Sequence, residues 1–243
     1  MTRAATDDTT SRVDGRRSAA AARRRQRERE ILEATRALFD QRGVRDAQIE
    51  DIAQAVGINR AIVYRHFTGK EELFALTLVG YLDELRLALA DSVAGVAGVD
   101  DADADADADD RLRATVSAFV DFGLDHPAFV DCAQTLLRRT GPELLEEISE
   151  SAMFRLGRAI SGCLAVLGDV LEEGVSSGDF RVQDTTLLAN QLYASGLGSL
   201  QLARVGMLVS EAAPGVPRID RVSGEQVKTY LVTSALVLAR QGV

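Results

Sequence analysis

The sequence predicts an all-α protein, in which an N-terminal three-helix module carries a helix-turn-helix and a larger C-terminal helical bundle follows it. Three observations predict this class. Apolar residues recur at helical spacing along most of the 243 residues. Two short amphipathic segments meet at Gly57, and the second carries several basic and aromatic side chains. No stretch alternates between apolar and polar residues as a half-buried strand would, so about nine helices are expected.

The chain divides into a tail, a small module and a helical body. Residues 1–22 are small, polar and charged, which predicts a disordered tail. Residues 23–75 form the predicted helix-turn-helix domain, and residues 76–243 form the body. Within the body, residues 95–110 contain the run DDADADADADD. Closely spaced aspartates repel one another and disfavour a helix, so this run predicts a solvated acidic loop.

The predicted helices of the module begin and end at local signals. Gly43 ends the first helix and Gly57 provides the turn after the second. Asn59 can cap the third helix, because its side chain can accept a backbone N–H. The expected helices span residues 26–42, 49–56 and 60–67, and a fourth begins at Lys70 and runs to about residue 92.

The helices of the body are delimited in the same way. Pro127 separates two helices, Asp184 can cap another, and two capping boxes begin at Thr140 and Ser223. The expected helices span residues 111–125, 127–139, 140–175, 184–205 and 223–240, and residues 214–221 form a loop.

Charge is distributed unevenly along the chain, whose net charge is −9. Residues 1–75 contain 15 Lys and Arg against 12 Asp and Glu, whereas the remaining residues contain 13 against 25. Nucleic-acid binding responds to the charge of the docking face, so this acidic protein can still bind DNA through its basic module. The arginines at residues 23–29 are typical either of a solvated helix end or of an arm that contacts phosphates or the minor groove.

Several other classes of protein are disfavoured. There is no apolar run of about 18 residues, and the N-terminus lacks the apolar segment of a secretory signal. The two cysteines do not form a disulfide framework, and a reducing cytoplasm is the expected location. An enzyme would need converging titratable groups, but the chain has only two histidines and no metal-binding spacing. No catalytic residue, metal or cofactor is therefore expected.

A pattern of apolar, glycine and polar residues runs through about residues 26–75. It consists of Ile31, Leu32, Ala34, Leu38, Phe39, Gly43, Asp51, Ile52, Ala53, Gly57, Ile58, Asn59, Tyr64, Phe67, Lys70, Leu73 and Phe74. In this pattern the module resembles the TetR family of bacterial transcriptional regulators. Ala47, Ala61 and Ile62 depart from residues that are common in that family, and Asn59 replaces a common Ser but keeps the ability to cap a helix.

The resemblance implies a homodimeric DNA-binding regulator that recognises a palindromic double-stranded operator. It also implies that residues 76–243 bind a ligand and dimerise. The apolar character of the body favours a repressor that a small hydrophobic effector releases from DNA. An effector-independent or partner-controlled DNA-binding protein of the same fold is the alternative.

The side chains expected to contact DNA lie on the third helix and at neighbouring helix starts. Arg60 and Arg65 can pair with guanine edges. Tyr64 and His66 either donate to phosphate oxygens or pack partly between helices. Lys70 begins a helix, where its charge and the positive helix end both favour phosphate. The full expected set is Arg25, Arg27, Gln48, Asn59, Arg60, Ala61, Tyr64, Arg65, His66 and Lys70.

Two further sets of residues follow from the apolar faces of the body. The candidate ligand-binding residues also fit ordinary core packing, and only Gln191 and Tyr193 among them offer polar groups that could orient a ligand. They are Phe119, Phe122, Phe129, Cys132, Leu136, Met153, Leu156, Ile160, Cys163, Leu187, Gln191 and Tyr193. The candidate dimer interface uses small residues and one apolar helix, which would otherwise be buried in a monomer. Its residues are Ala194, Gly196, Gly198, Tyr230, Leu231, Ser234, Ala235 and Leu238.

Overall fold

The structure is a computed structural model that describes residues 5–96 and 107–242, with side chains described from residue 18 onward. Within these ranges the chain forms ten α-helices and one antiparallel hairpin, which confirms the predicted helical class. The elements are α1 (Ala5–Arg42), α2 (Ile49–Val56), α3 (Arg60–His66), α4 (Lys70–Val96), α5 (Ala108–Asp125), α6 (Pro127–Leu137), α7 (Gly141–Glu147), α8 (Glu150–Ser177), α9 (Thr185–Val205), β1 (Met207–Ala213), β2 (Val216–Arg221) and α10 (Gly224–Gln241).

The second half of α1 packs with α2 and α3 to form the N-terminal module. Ile31, Phe39, Ile52, Val63 and Phe67 fill its core and are almost completely buried. The turn between α2 and α3 needs a left-handed residue, which Gly57 supplies at φ 70°. The predicted helix-turn-helix geometry is therefore present.

Helix α4 connects the module to the body, and its first half is almost completely buried. On the module side, Phe74 packs edge-on against Phe39, with ring centroids 5.2 Å apart. The Tyr81 hydroxyl donates to Asp40 at 2.5 Å, and the Arg36 guanidinium lies 4.3 Å from the Tyr81 ring centroid. On the body side, α4 packs against α5 and α8. The module and body thus share one helix.

The body closes around α4 with α5, α8, α9 and α10. Leu82, Leu112, Leu171 and Leu197 come from four of these helices and are completely or almost completely buried. Helix α10 packs on α5 and α9 and completes the bundle. None of the helices in the described ranges is long and apolar enough to span a membrane.

The long helix predicted over residues 140–175 is in fact two helices, α7 and α8. Ile148 adopts an extended conformation (φ −126°, ψ 149°) and is buried. Ser149 then begins the new helix, since its hydroxyl accepts the Ala152 N–H at 3.3 Å. Burial of Ile148 and capping by Ser149 together outweigh the helical pattern of the sequence.

The prediction of a loop over residues 214–221 was wrong, and no strand had been expected. Strands β1 and β2 pair in register from Met207–Arg221 to Ala213–Val216, with an irregularity between Glu211 and Ala213. Gly215 adopts φ 78° in the turn after Pro214. Apolar residues of this hairpin are exposed, so it lacks the half-buried alternation that identifies most strands.

Two predicted irregular segments are shorter in the structure. Helix α1 already begins at Ala5, which differs from the tail predicted over residues 1–22, because its many alanines and arginines have high helix propensity. The acidic segment 95–110 is flanked by α4, which reaches Val96, and by α5, which begins at Ala108. Residues 97–106 of the predicted loop lie outside the described residues.

A buried carboxylate joins the module to the body. Glu72, in the first turn of α4, is only 5% exposed. It accepts the Thr68 N–H at 2.5 Å and the Thr68 hydroxyl at 2.7 Å, and it also accepts the Ser149 hydroxyl. Because Thr68 follows α3 and Ser149 begins α8, this carboxylate connects the end of α3 to the start of α8.

Glu72→Gln should lower the free energy of unfolding by about 1–3 kcal/mol, because hydrogen bonds to a charged acceptor are replaced by weaker ones. Burial opposes the charged form of Glu72, but hydrogen bonds from Ser149 and Thr68 outweigh it and lower the pKa. The stabilisation is therefore present at neutral pH and is lost as the pH falls below about 4. Urea denaturation at several pH values measures the free energy of unfolding. Equal losses of this free energy in Glu72→Gln and in the exposed control Glu146→Gln would contradict the role of Glu72.

Candidate nucleic-acid interface

Helix α3 has one buried side and one exposed side. Val63 and the following Phe67 anchor it to the core of the module. Asn59 caps it, since its Oδ1 accepts the Ile62 N–H at 3.1 Å. The opposite side is therefore held towards solvent, and it carries the exposed residues Arg60, Ala61, Tyr64 and Arg65.

Arg60 is held by neighbours on the surface of the module. Its Nη1 lies 2.6 Å from Oε1 of Glu50, at the start of α2, and its guanidinium lies 5.3 Å from the Tyr64 ring centroid. The negative charge of Glu50 is the main cause that raises the pKa of Arg60. A phosphate or base that binds Arg60 must therefore share it with Glu50 or displace it. No sequence pattern predicted the role of Glu50, because its pairing with Arg60 arises only when α2 and α3 are docked.

A basic cleft lies between α3 and the middle of α1. Two of its residues, Arg27 and Arg65, were predicted to contact DNA. Arg27 pairs with Glu30 at 2.9 Å, whereas no ion pair of Arg65 occurs among the described residues. The full lining is Arg23, Arg24, Gln26, Arg27, Glu30, Ile62, Arg65 and His66.

His66 lies at the bottom of this cleft and is partly buried. Its Nδ1 is buried without a hydrogen-bond partner in the described structure. Burial lowers the pKa of His66, and the positive charge of Arg24 lowers it further. The imidazole is therefore neutral at neutral pH and can donate one hydrogen bond and accept another at the wall of the cleft.

The other predicted DNA contacts lie around this surface. Gln48 is the exposed cap of α2, and its backbone N–H donates to Asp51 at 3.2 Å. Lys70 begins α4, with its Nζ 5.2 Å from the Phe74 ring centroid. Arg25 is exposed on α1 but is not part of the cleft. Their contacts with DNA stay predictions.

An apolar cavity of about 40 Å³ lies in the body between α4, α5, α8, α9 and α10. Of the predicted ligand-binding residues, only Phe119, Cys163 and Tyr193 line it. Burial raises the pKa of the Cys163 thiol to about 12 and also raises that of the Tyr193 hydroxyl. Both groups are therefore neutral. The lining residues that the sequence analysis missed are Leu85, Leu89, Thr115, Val116, Leu164, Leu167, Leu192, Gly196 and Leu231.

The other predicted ligand-binding residues lie elsewhere. Leu187 is 57% exposed and Gln191 is also exposed, so these two were assigned to the wrong face of α9. The adjacent Leu188 and Leu192 point inward instead. The remaining predicted residues pack in the core outside the cavity, fully or partly buried: Phe122, Phe129, Cys132, Leu136, Met153, Leu156 and Ile160.

Three of the predicted dimer-interface residues face the interior of the protomer. Leu231 and Ala235 are buried. Gly196 is buried against Phe119, because a Cβ atom added there would lie 2.5 Å from Cε1 of that ring. These three assignments were wrong by about a third of a helical turn. The remaining predicted residues are exposed or partly buried: Ala194, Gly198, Tyr230, Ser234 and Leu238.

Comparison with known proteins identifies the module. Residues 31–77 match the model of the family described as bacterial regulatory proteins, tetR family. The HTH-type transcriptional repressor KstR2 of Rhodococcus jostii (strain RHA1) is 27% identical over 200 residues. These cover 78% of this chain and 85% of that relative.

Solved structures share the fold over most of the chain. The ketosteroid transcriptional regulator KstR2 of Mycobacterium tuberculosis superimposes with a TM-score of 0.54 at 25% identity, covering 88% of this chain and 95% of the other. RolR in complex with resorcinol superimposes with a TM-score of 0.63 at 16% identity, covering 90% of each chain. The resemblance predicted from the sequence is confirmed.

Proposed function

We propose that this chain, whose residues 31–77 match the TetR family, is a homodimeric transcriptional repressor which a small hydrophobic effector releases from DNA. The observation that carries the proposal is the exposed side of α3, where Arg60, Tyr64 and Arg65 stand beside the arginine-lined cleft. A helix presented in this way fits the major groove.

The two parts of this surface perform different tasks. Arg65 projects from α3 without an intramolecular ion pair among the described residues, so it can pair with a guanine edge. The cleft arginines of α1 bind phosphates, which positions the module but carries no sequence information. Because most of the acidic residues lie after residue 75, the body repels DNA and the protein docks through its module.

Selection of bound duplexes from a random-sequence DNA pool tests this function directly. A repressor of this kind should enrich a palindromic sequence and bind it less tightly at higher salt. Failure to enrich any sequence would contradict the proposal.

Arg65→Ala should weaken binding to the selected operator about 10- to 100-fold, because one good bidentate base contact contributes about 1–3 kcal/mol. Fluorescence anisotropy with labelled operator measures the affinity, and helical circular dichroism verifies the fold. Arg181→Ala removes an exposed arginine of the body and is the matched control. Equal affinity of the two variants would remove Arg65 from the recognition surface.

The apolar cavity between α5, α8 and α9 is the proposed effector site. Its lining and the two neutral groups of Cys163 and Tyr193 favour a hydrophobic ligand, such as a fatty acyl compound or a hydrophobic drug. The relative KstR2 is named a ketosteroid regulator, which agrees with an apolar class of effector. The cavity of about 40 Å³ is smaller than the roughly 300–1,000 Å³ of most ligand sites. Effector binding therefore requires these helices to separate, and such a state can differ in its affinity for DNA.

Long-chain fatty acids should raise the Tm of the protein, because a ligand that binds only the folded state stabilises it by about 2.7 kcal/mol at a hundredfold excess over Kd. Leu164→Phe fills the cavity and should abolish this rise while DNA binding is kept. The control is Leu87→Phe, which makes the same change at an exposed position of α4. Specific DNA binding that no apolar ligand alters would favour the effector-independent alternative, to which the tight packing of the body also points.

The exposed stripes of α9 and α10 form the proposed dimer surface. On α9 the stripe contains Leu187, Gln191, Ala194, Gly198, Leu202 and Val205. On α10 it contains Tyr230, Thr233 and Val237. Both stripes repeat at helical spacing, and the small residues of α9 allow a partner helix to approach closely.

Gly198→Glu should convert the dimer into a monomer and abolish tight operator binding, because a charge would be buried between the subunits. The protomer itself tolerates the change, since a Cβ atom at Gly198 meets nothing within 4 Å. Sedimentation velocity measures the mass, with Gly157→Glu on the exposed side of α8 as the control. A Gly198→Glu variant that sediments as a dimer would refute this surface.

A further inference from the structure

The hairpin β1–β2 exposes apolar side chains that no described residue of the protomer covers. Register places Val209 opposite Ile219 at the centre of one face and Met207 opposite Arg221 at the base of the same face. Val209 is 75% exposed and Ile219 is 65% exposed. The other face is more polar and carries the ion pair of Arg218 and Asp220, whose Nε and Oδ2 atoms are 2.7 Å apart. A two-stranded hairpin is marginally stable in water by itself, so a covering surface would stabilise it.

From this face we infer that each hairpin is an arm that packs against the second copy of this chain, at the start of the partner's α9. The inference rests on the proposed dimer through α9 and α10. The hairpin is continuous with that surface, because Leu202 and Val205 at the exposed end of α9 lead directly into Met207. The backbone N–H of Val222 donates to the Gly206 carbonyl at 3.2 Å and closes the base of the arm.

The geometry of a two-fold dimer selects the contact. The closest approach of two α9 helices falls where the side chains of the stripe are smallest, between Ala194 and Gly198. A two-fold axis perpendicular to the helices makes them antiparallel there. At about 1.5 Å per residue, Gly206 and Leu187 both lie about 15 Å from this crossing, on opposite sides of it. The base of one arm is therefore level with Leu187 of the partner subunit, which is exposed in the protomer.

The charge of the hairpin favours a second copy of this chain over a polyanion as the surface that covers it. The hairpin residues 207–221 contain Glu211, Arg218, Asp220 and Arg221, so their charges cancel. The face of Val209 and Ile219 also carries Glu211 and Arg221, whose opposite charges leave it with no net attraction for DNA or for an anionic lipid surface. The two arms lie at opposite ends of the antiparallel pair, which also prevents them from pairing with each other in one dimer.

Sedimentation equilibrium of Val209→Thr/Ile219→Thr tests the arm, because both substitutions keep a β-branched side chain but make the face polar. We expect the dimer Kd to rise at least about tenfold, which corresponds to about 1.4 kcal/mol. Leu208→Thr/Ser210→Thr makes similar changes on the opposite face and should leave the Kd unchanged. An unchanged Kd in the first variant overturns the arm but leaves the dimer intact. A wild-type chain that is monomeric at every concentration overturns both the dimer and the arm.

A cross-link locates the contact independently of affinity. The double variant Leu187→Cys/Val209→Cys should form disulfides between subunits under oxidising conditions. On a denaturing gel without reductant it should then migrate at dimer mass. The native Cys132 and Cys163 are buried and provide no competing exposed thiol. Each single-cysteine variant should stay at monomer mass in the same gel. A double variant that also stays at monomer mass overturns the assigned contact.

Discussion

The fold depends on α4 being buried on both of its sides. Its first turns complete the core of the module through Phe74, and its later turns form the centre of the body through Leu82 and Leu85. One helix cannot move relative to both halves without loss of buried apolar surface, at about 25 cal/mol per Å² exposed. Glu72 strengthens this constraint, because its carboxylate satisfies donors on either side of the junction. Because Thr68 follows α3 and Ser149 begins α8, these hydrogen bonds connect the two helices at the start of α4.

The module could be predicted closely because its signals are local. The bounds of α2 agree with the prediction, and α3 ends one residue earlier than predicted. Gly57 and Asn59 act as the turn and cap that the sequence indicated. Helical class also follows from periodicity along the body. The faces of α9 were harder to assign, because Leu187 and Leu188 are adjacent and the pattern alone does not decide which one is buried. A phase error of one residue moved both the cavity lining and the dimer surface.

Other features depend on contacts that are distant in sequence. The break at Ile148 requires Ser149 to meet Glu72, which lies 77 residues away. The pairing of Arg60 with Glu50 arises only when α2 and α3 are docked. The hairpin is specified by its turn and by cross-strand pairs such as Val209 and Ile219, whose side chains no described part of the protomer covers. Sequence patterns encode burial within one chain more reliably than they encode burial between chains.

The small volume of the cavity would also limit how fast the proposed effector binds. At about 40 Å³ it has room for little more than one or two water molecules. An apolar effector of the proposed class enters only while the surrounding helices are apart, so its capture is limited by how often they open rather than by diffusion. Dissociation of the effector requires the same separation of the helices. A brief rise in the concentration of such a compound would therefore leave most of the protein without ligand. Protein that has bound the compound during a sustained rise would stay in the bound state for some time after the concentration falls.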